Sequence, residues 1–260
     1  MRKQVGNPSF VGIDLSGSPA RPTGWAALRF PRAKAALLRS DAEILQHTLA
    51  ARPLVVAIDA PLSLPANGGI LRESERELMA LRIGVYPCLL PSMSALTHRG
   101  IALKRELESH GLTVIEGFPG AAQDVLGIPR KKAGQTALHD GLARIGLQLP
   151  AGKTSHHELD AITAALIARY YANREYHAIG PPGEVQIIVP CPARGAVHLY
   201  ANDPPTLRYA ANYLALFHAM KLTKEGPPIH IPAFRRRPEL RAWLAALATV
   251  SQPAIPGDSR

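Results

Sequence analysis

A run of apolar residues that ends on an acid, at residues 10–14, constrains the fold of this chain most. Phe10, Val11 and Ile13 leave almost no polar face, as in a strand that is covered on both sides of a sheet. A carboxylate at the end of such a strand costs free energy unless it is paired, hydrogen-bonded or bound to a metal. Asp14 alone would be read as a turn or cap residue, so its role depends on which residues join it.

Two further segments repeat this design. Residues 54–59 form an apolar, β-branched run that ends on Asp59, and residues 113–116 form a third that ends on Glu116. A β-hairpin followed by strands that alternate with helices predicts an α/β structure with a mixed sheet. Ligands gather at the carboxyl ends of the strands in such sheets, so we expect these two acids and Asp14 to share one site.

The remaining patterns predict the other elements and a division of the chain into two parts. We expect an α/β domain over residues 8–190 and a small, basic α/β extension over residues 191–260. The predicted strands cover residues 10–15, 25–30, 34–39, 54–59, 113–116 and 185–189, and the predicted helices cover residues 41–50, 71–82, 92–110, 136–145 and 155–171.

The last long helix of the domain carries a further acid. Thr154 or Ser155 can cap this helix, with Glu158 as the return partner of a capping box. His157 and Asp160 are three positions apart and therefore share a face. Alanines continue that face, and a stripe of small residues allows a helix to lie close on a sheet. We therefore expect the helix to carry both side chains to the strand ends.

Carboxylates at strand ends, together with a carboxylate on a helix packed against them, are typical ligands of hard cations. We expect Asp14, Asp59 and Asp160 to bind Mg²⁺ or Mn²⁺. Two such ions activate water and stabilise the leaving oxygen in phosphodiester cleavage. His157 is expected to assist proton transfer, and Glu116 completes the predicted catalytic set.

Several short motifs carry a family resemblance. Those at residues 11–14, 57–61 and 157–161 resemble the ribonuclease H-like superfamily, and the His-x-x-Asp-Ala helix start is similar to that of Holliday-junction resolvases. A wider set over about residues 10–190 resembles a prokaryotic family of predicted nucleases, domain of unknown function 429. The resemblance implies a ribonuclease H-like fold with helices flanking a mixed sheet, and a metal-dependent nuclease site. The motifs of the wider set are at residues 21–24, 97–100, 116–121 and 126–131.

The charge of the chain favours a polyanionic partner. Thirty Lys and Arg residues against 20 Asp and Glu residues give a formal net charge of +10, which favours phosphate neutralisation. We therefore expect nucleic acid as the partner. A solvated basic turn is an equal explanation of the arginine run in the tail. The predicted nucleic-acid contacts are Arg130, Lys131, Lys132, Arg235, Arg236 and Arg237.

Two other functions stay open at this stage. One is an actin-like-fold phosphotransferase or ATPase, although the chain shows no second copy of the fold and Pro19 interrupts the loop after Asp14. The other is a non-catalytic nucleic-acid-binding protein with a vestigial site. Two widely spaced cysteines and the lack of a long apolar run predict a cytoplasmic protein that does not associate with membranes. Whether the chain forms a homodimer is left open.

Overall fold

The computed structural model describes residues 7–80 and 83–190. A 3-10 turn covers Lys131–Ala133. The strands are β1 (Ser9–Asp14), β2 (Thr23–Arg29), β3 (Arg32–Leu38), β4 (Pro53–Asp59), β5 (Val114–Gly117), β6 (Tyr176–Ile179) and β7 (Ile187–Pro190). The helices are α1 (Asp41–Ala51), α2 (Glu73–Ala80), α3 (Pro91–Ser109), α4 (Pro119–Val125), α5 (Gln135–Arg144) and α6 (His156–Ala172).

The seven strands form one mixed sheet in the order β3-β2-β1-β4-β5-β7-β6. The first three strands make an antiparallel meander, and β4, β5 and β7 then run parallel to β1. Strand β6 closes the far edge in the antiparallel sense. The predicted mixed sheet flanked by helices is therefore confirmed. Within the described residues, no helix is long and apolar enough to cross a membrane.

Each face of the sheet is covered by its own hydrophobic core. On one face, α4, α5 and α6 pack against a core that includes Phe10 and Leu28. On the other face, α1 and α3 pack against a core that includes Val11, Ile13 and Trp25. Successive side chains of a strand point to opposite faces, so β1 supplies both cores. This explains why its sequence shows almost no polar face.

Two glycines let α6 lie directly on the sheet. A Cβ atom on Gly12 would lie 2.0 Å from the carbonyl oxygen of Ala161, and one on Gly24 would lie 2.1 Å from the carbonyl oxygen of His157. Real Cβ atoms essentially never come closer than 3.0 Å to such atoms. Only glycine therefore allows this approach, which brings the first turn of α6 to the end of β1.

The structure differs from the sequence-based expectations in several elements. Strand β6 and helix α4 were not predicted, because β6 is a short, half-exposed edge strand and α4 begins at Pro119 in a segment that reads as a turn. Helix α3 runs unbroken through Gly100, as in the single helix predicted over residues 92–110. Ser40 caps α1 through a capping box, and Asp41, where the predicted helix starts, is the first helical residue. The predicted basic extension over residues 191–260 lies outside the described residues.

Candidate active site

Asp14 and Asp59 are neighbours at the carboxyl ends of two parallel strands. They are paired in the register of β1 and β4, which places their backbones roughly 4.8 Å apart. Burial raises the pKa of both carboxyls. For Asp59, the charges of Asp14 and Asp160 add to the effect of burial and raise the pKa well above its usual range. The three acids therefore form one electrostatically coupled cluster.

The first turn of α6 holds a histidine against this cluster. Ser155 caps the helix, and Glu158 returns its side chain to the Ser155 backbone in the predicted capping box. His157 lies in the turn between them, and its Nδ1 is 2.6 Å from Asp14 Oδ2. With the proton on Nδ1, this bond stabilises the imidazolium form and raises the pKa of His157.

Asp160 is held by two side chains from outside α6. Its Oδ1 accepts a hydrogen bond from Gln123 Nε2 at 2.9 Å, and Gln123 also contacts Thr163 Oγ1 at 3.3 Å. Its Oδ2 accepts a hydrogen bond from Lys131 Nζ at 3.1 Å. Gln123 was missed by the sequence analysis, because it lies on the unpredicted helix α4. Two adjacent polar residues, Gln123 and Asp124, on a short helix of mostly small apolar residues would have been the signal for it.

Lys131 brings a positive charge into the acid cluster. Partial burial opposes its charged form, but the charges of Asp160, Asp14 and Asp59 outweigh that effect and raise the pKa of Lys131. More than half of its side chain is exposed, so the ammonium group lies at the mouth of the site. Lys131 therefore lies beside the acids, and its role as a nucleic-acid contact stays a prediction.

The other basic residues predicted to bind nucleic acid have different surroundings. The Arg130 guanidinium pairs with both carboxylate oxygens of Asp124, at 2.8 and 2.5 Å. Lys132 is exposed in the 3-10 turn. Residues 235–237 lie outside the described residues. Their predicted contacts with nucleic acid stay predictions.

Glu116 lies in a buried ion pair. Its Oε1 is 2.6 Å from Arg72 Nη2, and its Oε2 accepts hydrogen bonds from Arg72 Nη1 and from the Leu62 backbone, both at 2.8 Å. Arg72 Nε is also 3.0 Å from Glu75 Oε1. Both oxygens of Glu116 are thus engaged away from Asp14. A catalytic role for Glu116 stays a prediction, while its contacts are those of a structural ion pair.

Residues 12–184 match the family described as protein of unknown function (DUF429). The chain belongs to the DUF429 family. The match runs from β1 to the segment after β6, so it includes every acid of the cluster, and it confirms the resemblance found in the sequence.

Two solved structures of Thermus thermophilus RuvC are similar to this DUF429 chain. One is titled "Thermus thermophilus RuvC structure", with 15% identity and a TM-score of 0.38. The other is RuvC in complex with a Holliday junction substrate, with 17% identity and a TM-score of 0.39. Both cover 64% of this chain and 96% of the RuvC chain. No curated protein matches the chain significantly.

The acids of the DUF429 site carry the type of donor atom that hard divalent cations prefer. Asp14, Asp59 and Asp160 offer carboxylate oxygens, which Mg²⁺ and Mn²⁺ prefer. Within residues 7–80 and 83–190, no three acids, histidines or cysteines are arranged so that they hold a metal ion as they stand. His157 and Lys131 instead engage one oxygen each of Asp14 and Asp160.

Proposed function

We propose that this DUF429 protein is a metal-dependent nuclease that hydrolyses phosphodiester bonds in nucleic acid. The observation that carries the proposal is the convergence of Asp14 and Asp59, on neighbouring strand ends, with the first turn of α6 that bears His157 and Asp160. Three carboxylates in one coupled cluster are costly for stability, and such costs are typical of functional sites. The net charge of +10 supports a polyanionic substrate.

The proposed cofactor is Mg²⁺ or Mn²⁺, held by Asp14, Asp59 and Asp160. When bound, such an ion supplies Lewis-acid stabilisation of the phosphate and lowers the pKa of an attacking water. Asp59 is best suited to bind first, because its carboxylate has no hydrogen-bond partner within the described residues. Asp160 would exchange Lys131 for the ion and keep its bond from Gln123.

His157 and Lys131 have proposed roles beside the acids. The Asp14 carboxylate orients His157 through Nδ1, which leaves Nε2 free of that contact. In the imidazolium form, Nε2 could donate a proton to the leaving oxygen, a role worth roughly 10²- to 10⁴-fold in rate. Lys131, once displaced from Asp160, is placed to pair with a substrate phosphate.

A cleavage assay tests the proposal. The parent protein is incubated with double-stranded DNA, single-stranded DNA, RNA and a four-way junction, each with Mn²⁺, with Mg²⁺ or with EDTA. We expect metal-dependent cleavage of at least one substrate, and loss of that cleavage in Asp59→Asn. Glu106→Gln, a change of an exposed acid on α3, is the matched control and should cleave like the parent. No cleavage by the parent under any condition would contradict the proposal.

A non-catalytic nucleic-acid-binding protein is the second candidate. The contact between Lys131 and Asp160 favours it, because a lysine that neutralises an acid can take the place of a cation. This candidate predicts binding of nucleic acid without cleavage, and the same affinity in EDTA as in Mn²⁺. The nuclease proposal predicts metal-dependent cleavage instead.

A further inference from the structure

A cavity of about 690 Å³ lies at the opposite end of the sheet from the acids. It opens on the face covered by α1, between β1, β2 and β3 and the C-terminal half of that helix. Ser9 borders it at the start of β1, whereas Asp14 is the last residue of the same strand. Five residues of strand separate the two by roughly 16 Å. The cavity is therefore distinct from the candidate active site.

The polar lining of this cavity is positively charged. Arg29, Arg32 and Lys34 line it, and none of the described residues of its lining is Asp or Glu. None of the three forms an ion pair with an acid in the part of the chain that the structure describes. Arg29 Nη1 donates to the carbonyl oxygen of Asn7 at 3.2 Å, and Arg32 Nε donates to Gln148 Oε1 at 3.3 Å, so both partners are neutral. The cavity therefore favours an anion.

Two aromatic rings, those of Trp25 and His47, lie in the lining of the cavity beside alanines and a proline. Trp25 is fixed in place because its Nε1 donates to Thr48 Oγ1 at 3.1 Å. The ring of His47 packs edge-on against the indole, with 5.5 Å between the ring centroids. Phe30 also borders the cavity, and its ring carries the Arg169 guanidinium 4.2 Å from the ring centroid. Rings held in fixed positions favour a planar partner, which stacks on them or meets them at an edge.

Ser9 provides an independent sign that the cavity has an occupant. This serine is buried, and its hydroxyl has no hydrogen-bond partner within residues 7–80 and 83–190. Only one other buried side-chain polar atom in the described residues shares that condition, the hydroxyl of Ser74, and Ser74 does not line the cavity. Leaving a buried hydroxyl unpaired is unfavourable. After a rotation about its single side-chain torsion, Ser9 could hydrogen-bond to a polar atom of a ligand.

We propose that this cavity binds a small molecule in which a planar ring is joined to a phosphate or a carboxylate. The volume is within the range of natural ligand sites, and an apolar lining with a few convergent polar groups is typical of them. Arg29, Arg32 and Lys34 bind the anion, Trp25 contacts the ring, and Ser9 bonds to a polar atom of the ligand. The site is independent of the proposed nuclease chemistry, because it uses none of the clustered acids.

Isothermal titration in EDTA tests the proposal with two probes. Adenosine 5′-monophosphate represents the ring with a phosphate, and nicotinate represents the ring with a carboxylate. We expect saturable binding of at least one probe, which identifies the source of the anion. Lys34→Gln should weaken that binding about 10- to 100-fold, as for a lost charge-assisted hydrogen bond. Arg105→Gln, an exposed change on α3, should leave the affinity unchanged.

Ser9→Ala adds a readout that a surface charge effect would not give. It removes an unpaired buried hydroxyl, so the free protein should melt at the same or a higher temperature. The affinity for the same probe should nevertheless fall about three- to tenfold. Saturable binding of neither probe at millimolar concentration, or equal affinity in the parent, Lys34→Gln and Ser9→Ala, would overturn the proposal.

Discussion

The close contact between α6 and the sheet can be tested by one methyl group. In Gly24→Ala, the added Cβ atom would lie 2.1 Å from the carbonyl oxygen of His157 and 2.5 Å from its carbonyl carbon. Both are backbone atoms, so no side-chain rotation relieves the clash. Since Cβ atoms essentially never approach closer than 3.0 Å, the first turn of α6 must withdraw by about 1 Å.

This withdrawal should cost both stability and site geometry. Overpacking of this kind costs about 1–3 kcal/mol, and losing the 2.6 Å bond between His157 and Asp14 adds about 1.5–3 kcal/mol. For a domain of this size, each kcal/mol lowers the melting temperature by roughly 2–4 °C. We therefore expect a fall of roughly 5–24 °C. A displacement of about 1 Å should also lower any catalytic rate by about 10²-fold.

Thermal unfolding followed by circular dichroism measures the loss of stability, and NMR titration measures the pKa of His157. The parent should show a raised His157 pKa, and Gly24→Ala should return it towards its ordinary value. Gly17→Ala is the matched control, because a Cβ atom there lies 3.6 Å from its nearest neighbour, the backbone nitrogen of Leu96. If Gly24→Ala melts like the parent and keeps the raised pKa, the close-contact argument is refuted.

Three further predictions follow from the contacts of the site. Folding raises the pKa of Asp59, so the charged carboxylate opposes folding at any pH above the pKa of the unfolded state. In metal-free buffer at neutral pH, Asp59→Asn should therefore raise the melting temperature, by roughly 2–4 °C for each kcal/mol of stability gained. A lower melting temperature would argue against charge repulsion. His157→Ala should keep measurable Mn²⁺ binding by isothermal titration while Asp160→Ala loses most of it, and equal affinities would contradict these roles. Arg72→Met leaves Glu116 buried without its partner and should cost about 3–5 kcal/mol in urea unfolding; a loss under 1 kcal/mol would show that the pair is dispensable.

The pH dependence of stability should report the pair between His157 and Asp14. The pKa of His157 is raised in the folded state, so the pair contributes its full stabilisation below the unfolded pKa of about 6.5. That contribution is lost as the pH rises through the folded pKa. Urea unfolding across this range should show the decline in the parent and a smaller decline in His157→Ala. Identical slopes would show that the pair does not stabilise the protein.

Local sequence signals predicted the elements that bear the site. The apolar runs ending on Asp14 and Asp59 are local patterns, and so is the capping box that starts α6. Parallel strands bring their carboxyl ends to one edge of a sheet, so the convergence of the acids followed from the predicted topology. The small residues along α6 indicated the close packing, although the two strand glycines that permit it were not recognised.

Partners that are distant in sequence could not be predicted in the same way. Glu116 has the same strand-end pattern as Asp59, but Arg72, which is 44 positions away, pairs with both of its oxygens. Nothing local to Glu116 reveals this pairing, because it depends on where α2 packs. Asp14 likewise accepts a bond from His157, 143 positions away. Asp59 is therefore a cleaner test of charge repulsion than Asp14, since Asp14→Asn would also weaken a charge-assisted bond.

Anomalous diffraction from crystals soaked in Mn²⁺ tests the central claim most directly. The proposal predicts an anomalous peak among Asp14, Asp59 and Asp160, about 2 Å from at least two carboxylate oxygens, with Lys131 Nζ moved away from Asp160. Crystals of Asp59→Asn should lack that peak under the same soak. If the parent shows no peak at this position and keeps the 3.1 Å contact between Lys131 and Asp160, the metal-dependent reading of the acid cluster is contradicted.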